Sequence, residues 1–368
     1  MMAQTTVPRA RGRRRIVFAL AAVMLAVGVP LFGLLAIDIY LHSKFAKSAG
    51  FNIWGYRGPI AGRKQRDEYR VAVLGGSAAY GYGTTWDEAI PAALERDLSG
   101  RTVGPYRRFS AVNLGYNNEG AYSFKFTLQD YLSLHYDLAI LYEGYNDLMG
   151  NPRAPNVSVF RHESPVFRLT GYLPIFPVIF NEKAASMLSG GNLRAWYETR
   201  RTGEAMKTTF RPGLAAKTTA EVLQSAAAVG QSLERQLGRV AAEPRHEIVD
   251  AAATGCRSPW QEYCRSVMDA VAFALHHGAQ VLVVTQPYAA DTSLRSRHAS
   301  QQTEMATMLQ QQYAAEHRVR YVNLGDRIDL TDPQLSYDRM HLTAVGNGRI
   351  AEALVEPVLE MAAARGGR

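Results

Sequence analysis

Ser77 stands in Gly75-Gly76-Ser77 at the end of the apolar run Tyr69-Arg70-Val71-Ala72-Val73-Leu74, and Asp338 and His341 lie three residues apart near the other end of the chain. Small residues after a buried strand let a serine hydroxyl stand exposed on a tight turn. An aspartate and a histidine at that spacing can supply a base and the group that orients it from one short segment. The chemistry these residues suit is nucleophilic attack on an acyl carbon. No cluster of His, Cys, Asp or Glu has metal-ligand spacing, since His276 and His277 are adjacent and point apart on a helix, and no cofactor is expected.

The elements that must position these groups are legible as alternating short apolar runs and helical stretches. Residues 71–74, 109–114, 138–142, 280–285 and 320–324 are strand-sized and rich in Val, Ile, Leu or Tyr, which predicts buried parallel strands. Residues 88–98, 123–135, 263–277, 297–317 and 344–363 carry apolar side chains at helical spacing. The pattern predicts a doubly wound α/β sheet. In such a sheet the turns after strands one, two and three converge at the carboxyl edge. Those turns are 75–83, 113–123 and 143–147, the last reading Glu143-Gly144-Tyr145-Asn146-Asp147.

Taken with Asp338-Arg339-Met340-His341, these blocks resemble the SGNH hydrolase family, also called the GDSL esterases and lipases, in its membrane-anchored bacterial form. Gly-Gly-Ser takes the place of the usual Gly-Asp-Ser, and Gly144-Tyr145-Asn146-Asp147 matches Gly-x-Asn-Asp. The resemblance covers 69–148 and about 279–360, with four blocks in the family's order. It implies a flavodoxin-like doubly wound parallel sheet, with Ser77 as nucleophile, His341 as base, Asp338 as its orienter, and an oxyanion hole from Asn146 and Gly120. The second block departs from the usual Asn-x-Gly-x-x-Gly. The functional glycine is matched to Gly120 because Ala121-Tyr122-Ser123 follows it, with Gly115 the alternative. A phosphate loop fails because Tyr82 stands where its lysine should be. The α/β-hydrolase elbow fails because Ala79 takes its last glycine and that fold carries Asp and His on separate turns.

Residues 16–37 contain no charged side chain, and a helix of that length spans roughly 33 Å, enough for a bilayer core. Arg9, Arg11, Arg13, Arg14 and Arg15 precede it with no acidic residue. The expected arrangement is a cytoplasmic tail at 1–15, a single transmembrane helix at 16–37, a connector at 38–68 and a hydrolase domain at 69–364 on the extracytoplasmic side of an inner membrane. A cleaved signal peptide, the competing reading, has a shorter apolar region and a small-residue cleavage pattern that is missing here. The net charge of +8 falls to +3 without those five arginines, so it reports topology and not nucleic-acid binding.

A long insertion at about 151–255 separates the third strand from the fourth and must carry structure of its own. Its apolar stretch 165–180 is broken by Pro165, Pro174 and Pro177, which excludes a second spanning helix. Packing on the domain, a lid, a membrane-surface patch and a partner surface all remain open for it. An amphipathic helix is expected over 219–239. Cys256 and Cys264, the two cysteines of the chain, are expected to pair if this part lies outside the cytoplasm. The expected function is removal of a short acyl group, most simply acetate, from an envelope or exported glycan. A lipid esterase or thioesterase, an acyltransferase to a glycan and a non-catalytic scaffold of a polysaccharide assembly are the alternatives.

Overall fold

A computed structural model describes residues 10–48, 50–148, 161–192, 210–240, 256–257 and 259–367. The chain divides into two compact units, one made of residues 1–44 with 175–230 and the other of 45–174 with 231–368.

The first unit contains helix α1 (Ala10–Lys44), which continues past the predicted end at Ile37. Asp38 explains the extension. It is buried, and it accepts the Ile175 and Phe176 N–H groups at 2.9 and 2.6 Å while His42 lies 3.4 Å from its other oxygen. The aspartate of one helix thus caps the otherwise unsatisfied N-terminal donors of another. Among the described residues one helix, Arg15–Lys44, is long and apolar enough to cross a membrane.

The second unit carries the sheet. Its elements are β1 (Glu68–Gly75), α2 (Ser77–Tyr80), α3 (Ile90–Leu98), β2 (Arg108–Asn113), α4 (Phe124–Asp130) and β3 (Leu138–Glu143). The insertion then contributes α5 (Pro165–Thr170), and α6 (Phe176–Ser189) and α7 (Leu214–Val240) follow in the chain. After them come α8 (Gln261–His276), β4 (Gln280–Thr285), α9 (Thr292–Tyr313), β5 (Val319–Val322) and α10 (Ala344–Gly366). All five strands are parallel in the order β2-β1-β3-β4-β5, the flavodoxin-like doubly wound sheet.

Strand alternation decides which face each side chain serves. Ala72, Leu74, Ala139, Leu141, Val281 and Val283 pack with α4, α8 and α9, while Tyr69, Val71, Val73, Ile140, Leu282 and Val284 pack with α3 and α10. With both faces covered, every residue of β1 is buried, which is why these strands read as near-continuous apolar runs.

The connector packs on this unit instead of hanging free. Phe51 stacks on Tyr116 at 4.9 Å between ring centres and meets Tyr80 at 5.3 Å. Arg57 donates its backbone N–H to Asn113 O and its guanidinium to the carbonyls of Tyr80, Gly81 and Thr84. The apolar insert breaks where its prolines predict, with Pro165 opening α5 under a Ser164 cap and Pro177 inside the first turn of α6. Cys256 and Cys264 form a disulfide at the start of α8, with Cα atoms 5.9 Å apart.

Candidate active site

The Ser77 turn is built by close approach of two strands. Gly75 ends β1 with φ +155°, and a Cβ there would lie 2.1 Å from the Tyr142 carbonyl oxygen of β3. Only glycine lets β1 turn out of the sheet at this point. Ser77 then opens α2, and its hydroxyl stands partly exposed at the carboxyl edge. Gly115, after β2, packs directly beneath this turn. A Cβ on it would meet Tyr80 N at 2.5 Å and the Ala79 carbonyl carbon at 2.9 Å. Its role is therefore to admit the backbone of the serine turn.

Across 264 residues of sequence, His341 Nε2 lies 2.8 Å from Ser77 Oγ, and His341 Nδ1 lies 2.7 Å from Asp338 Oδ2. The other oxygen of Asp338 accepts the N–H groups of Met340 and His341 at 3.0 and 2.7 Å. One carboxylate thereby folds its own loop and orients the imidazole. Burial by itself would raise the Asp338 carboxyl, but the hydrogen bonds and charge of His341 and the Met340 N–H hold it below the ordinary carboxylate range. An ionised Asp338 only accepts, so in the neutral imidazole Nδ1 carries the single proton and Nε2 accepts from the serine, whereas the imidazolium donates from both. Arg339 sits at φ +67° inside this loop, an uncommon conformation for a residue with a side chain. The loop is closed by Ser336 Oγ donating to His341 O at 2.9 Å, and Thr343 then caps α10.

The loops after β2 and β3 meet each other. Asn146 Nδ2 donates to Glu119 O at 2.7 Å, and the Ala121 N–H donates to the carboxylate of Asp147 at 3.1 and 3.3 Å. This contact sets how the expected oxyanion glycine, Gly120, is held. The Gly120 N–H belongs to the same trans peptide as the Glu119 carbonyl, and the two groups of a trans peptide point in opposite directions. The carbonyl is turned onto Asn146 Nδ2, and the Gly120 N–H lies on the opposite side of that peptide. Gly120 is buried against Asp147, where a Cβ would lie 2.7 Å from Oδ1.

The neighbouring Asn118 was not singled out from the sequence. It is exposed, has φ +63° and is the third residue of a turn in which Glu119 N donates to Tyr116 O at 3.2 Å. Counting from Asn113 finds it. Asn113-Leu114-Gly115-Tyr116-Asn117-Asn118 keeps the Asn-x-Gly-x-x-Gly spacing with asparagine in the last place, and asparagine is the side chain that best tolerates a left-handed backbone.

Aromatic side chains rim the serine–histidine pair. The Tyr82 ring lies 4.9 Å from the His341 ring and the Tyr337 ring 6.0 Å from it, nearly parallel. Both tyrosines are about half exposed, at 49% and 46%. Tyr337 donates its hydroxyl to Tyr82 O at 2.9 Å, tying the two sides of the rim together. Behind the loop after β2, Glu119 is fully buried near Arg161. Burial pushes its carboxyl up to about 7 against the opposing pull of that guanidinium.

No family model and no curated protein matches this chain. Solved structures with a similar fold include a protein described as lipolytic, of the G-D-S-L family, from Desulfitobacterium hafniense DCB-2, at 10% identity and a TM-score of 0.38, covering 78% of this chain and 98% of that one. An acetylxylan esterase from Geobacillus stearothermophilus matches at 10% identity and a TM-score of 0.39, covering 79% and 94%. An alpha/beta hydrolase enzyme from the metagenome of Lake Arreo, Spain, matches at 14% identity and a TM-score of 0.37, again covering 79% and 94%. Function is therefore read from this chain's own residues.

Proposed function

We propose that this chain is a serine esterase of the SGNH type, anchored by α1, which removes a short acyl group from a glycan through an acyl-enzyme. The observation that carries the reading is the continuous hydrogen-bonded line Ser77–His341–Asp338 at the carboxyl edge of a parallel sheet. Ser77 Oγ attacks the acyl carbon while His341 Nε2 takes its proton. Asp338 holds the imidazole in the useful tautomer and stabilises it once protonated. The oxygen that becomes negative receives the Asn146 amide, the Ser77 N–H and a backbone N–H of the 118–121 loop, Gly120 being the expected donor, and His341 returns the proton to the departing alcohol. Water, activated by the same histidine, then releases the acid and restores the serine.

The open aromatic rim of Tyr82 and Tyr337 supports a glycan over a long-chain lipid. Flat, half-exposed rings suit the apolar face of a sugar, whereas a long acyl chain needs an enclosing apolar pocket. The arginines before the charge-free stretch 16–37 support a cytoplasmic N-terminus and an extracytoplasmic, periplasmic site. The Cys256–Cys264 disulfide favours the same oxidising side.

The test uses the full chain in detergent, with Ser77→Ala as control. A serine-reactive fluorophosphonate should label the parent and not the variant, and p-nitrophenyl acetate should be hydrolysed in preference to the octanoate. Preference for the longer ester would replace the glycan reading with a lipid one. An unlabelled parent would remove the catalytic reading altogether.

A further inference from the structure

Asn146 and Asp147 are the two central residues of a tight turn in which Leu148 N donates to Tyr145 O at 3.1 Å. The turn is pinned from outside. Gln286 Oε1 accepts the Tyr145 N–H at 3.1 Å and Arg297 Nε donates to Leu148 O at 2.9 Å. Its consecutive side chains grip the neighbouring loop at adjacent peptides. Asn146 takes the Glu119 carbonyl, and Asp147 takes the Ala121 N–H while its Oδ1 lies over the Gly120 Cα. A carboxyl group is an expensive choice for a buried site with one backbone donor, and burial pushes Asp147 up to about 7. An aliphatic side chain would fill the space at less cost, so the acceptor is what the position requires.

We propose that Asp147 is a positioning residue for the oxyanion hole, fixing segment 118–121 against Asn146 so that the donors of the two loops stay aimed at one point. The proposal rests on the esterase reading above. Asp147 does not touch substrate. It acts by holding Ala121 N–H and leaving no room beside Gly120 for the loop to slide. A displacement of about 1 Å at such a site costs roughly 10²-fold in rate.

Asp147→Ala and Asp147→Asn, made in the full chain, separate positioning from simple support. Asparagine keeps an oxygen that can accept the Ala121 N–H, and alanine keeps none. The expected result is a kcat for p-nitrophenyl acetate reduced roughly 10²-fold in Asp147→Ala with KM within about threefold, and recovery to within about fivefold of the parent in Asp147→Asn. Binding of a boronic acid that forms a tetrahedral serine adduct should weaken in the same order. Gly120→Ala, whose Cβ would press on Oδ1, should lower kcat by itself and add little to Asp147→Ala, because both changes release the same grip. An unchanged kcat in Asp147→Ala, equal losses in both Asp147 variants, or additive losses with Gly120→Ala would overturn the proposal. Amide exchange at Ala121 reads the grip without any activity. Equal protection in parent and Asp147→Ala would also refute it, whereas a parent inactive toward every ester would count against the esterase reading instead.

Discussion

Replacing Asn146 by alanine tests whether the loop after β3 contributes to the transition state or only to the fold. An amide nitrogen carries two donors. Asn146 Nδ2 holds Glu119 O at 2.7 Å, and the same amide is the proposed donor to the developing oxyanion. Losing a side-chain donor of that kind costs about 10²- to 10³-fold in kcat, or roughly 2.7 to 4 kcal/mol. Losing the bond to Glu119 costs about 0.5 to 1.5 kcal/mol of stability, a fall of only a few degrees in Tm for a domain of this size. Activity and folding should therefore separate widely. Steady-state hydrolysis of p-nitrophenyl acetate gives the first quantity, and thermal melting followed by circular dichroism gives the second. An Asn146→Ala protein that melts cooperatively near the parent temperature yet keeps kcat/KM within about tenfold would refute the oxyanion assignment.

Two further outcomes follow from the same geometry. Gly115→Ala places a methyl 2.5 Å from the Tyr80 backbone nitrogen; because backbone cannot step aside as a side chain can, the serine turn must shift, with a stability loss of about 1 to 3 kcal/mol and slowed fluorophosphonate labelling, and normal labelling would show that the turn tolerates the intrusion. Burial pushes Glu119 up to about 7, so between the ordinary carboxylate range and that value the native state holds a proton that the unfolded chain has lost, and stability falls as pH rises through the window. Glu119→Gln should flatten part of that decline, with Asp147 supplying the remainder, and parallel melting profiles for parent and variant from pH 5 to 8 would disprove the link.

Much of the architecture was legible because the strands are buried on both faces. Runs such as Val71-Ala72-Val73-Leu74 and Gln280-Val281-Leu282-Val283-Val284 announce a parallel sheet directly. Ser77, Asp338 and His341 were legible because their neighbours in sequence, the glycines before Ser77 and the three-residue spacing of Asp338 and His341, are also the groups that shape them in space. Helix ends were less so. The apolar pattern of α1 stops at Ile37, yet the helix continues to Lys44 because Asp38 is satisfied by donors from Ile175 and Phe176, far away in the chain. The surroundings of Gly120 were hidden for a related reason. A glycine in sequence shows that a side chain is not tolerated, and Gly120 lacks one because the Asp147 carboxylate occupies that space.

The order of apolar runs, the serine on its glycine turn, the Asp-x-x-His segment and the charge-free stretch after the arginines were determined by sequence alone, since each depends on residues close together in the chain. Only the tertiary structure decided which way the Glu119 carbonyl faces, that Asn118 takes a left-handed backbone and that Asp147 lies behind the loop. Peptide orientation depends on partners 26 and 27 residues distant in sequence. No local pattern records a contact that exists only after β1, β2 and β3 have come together.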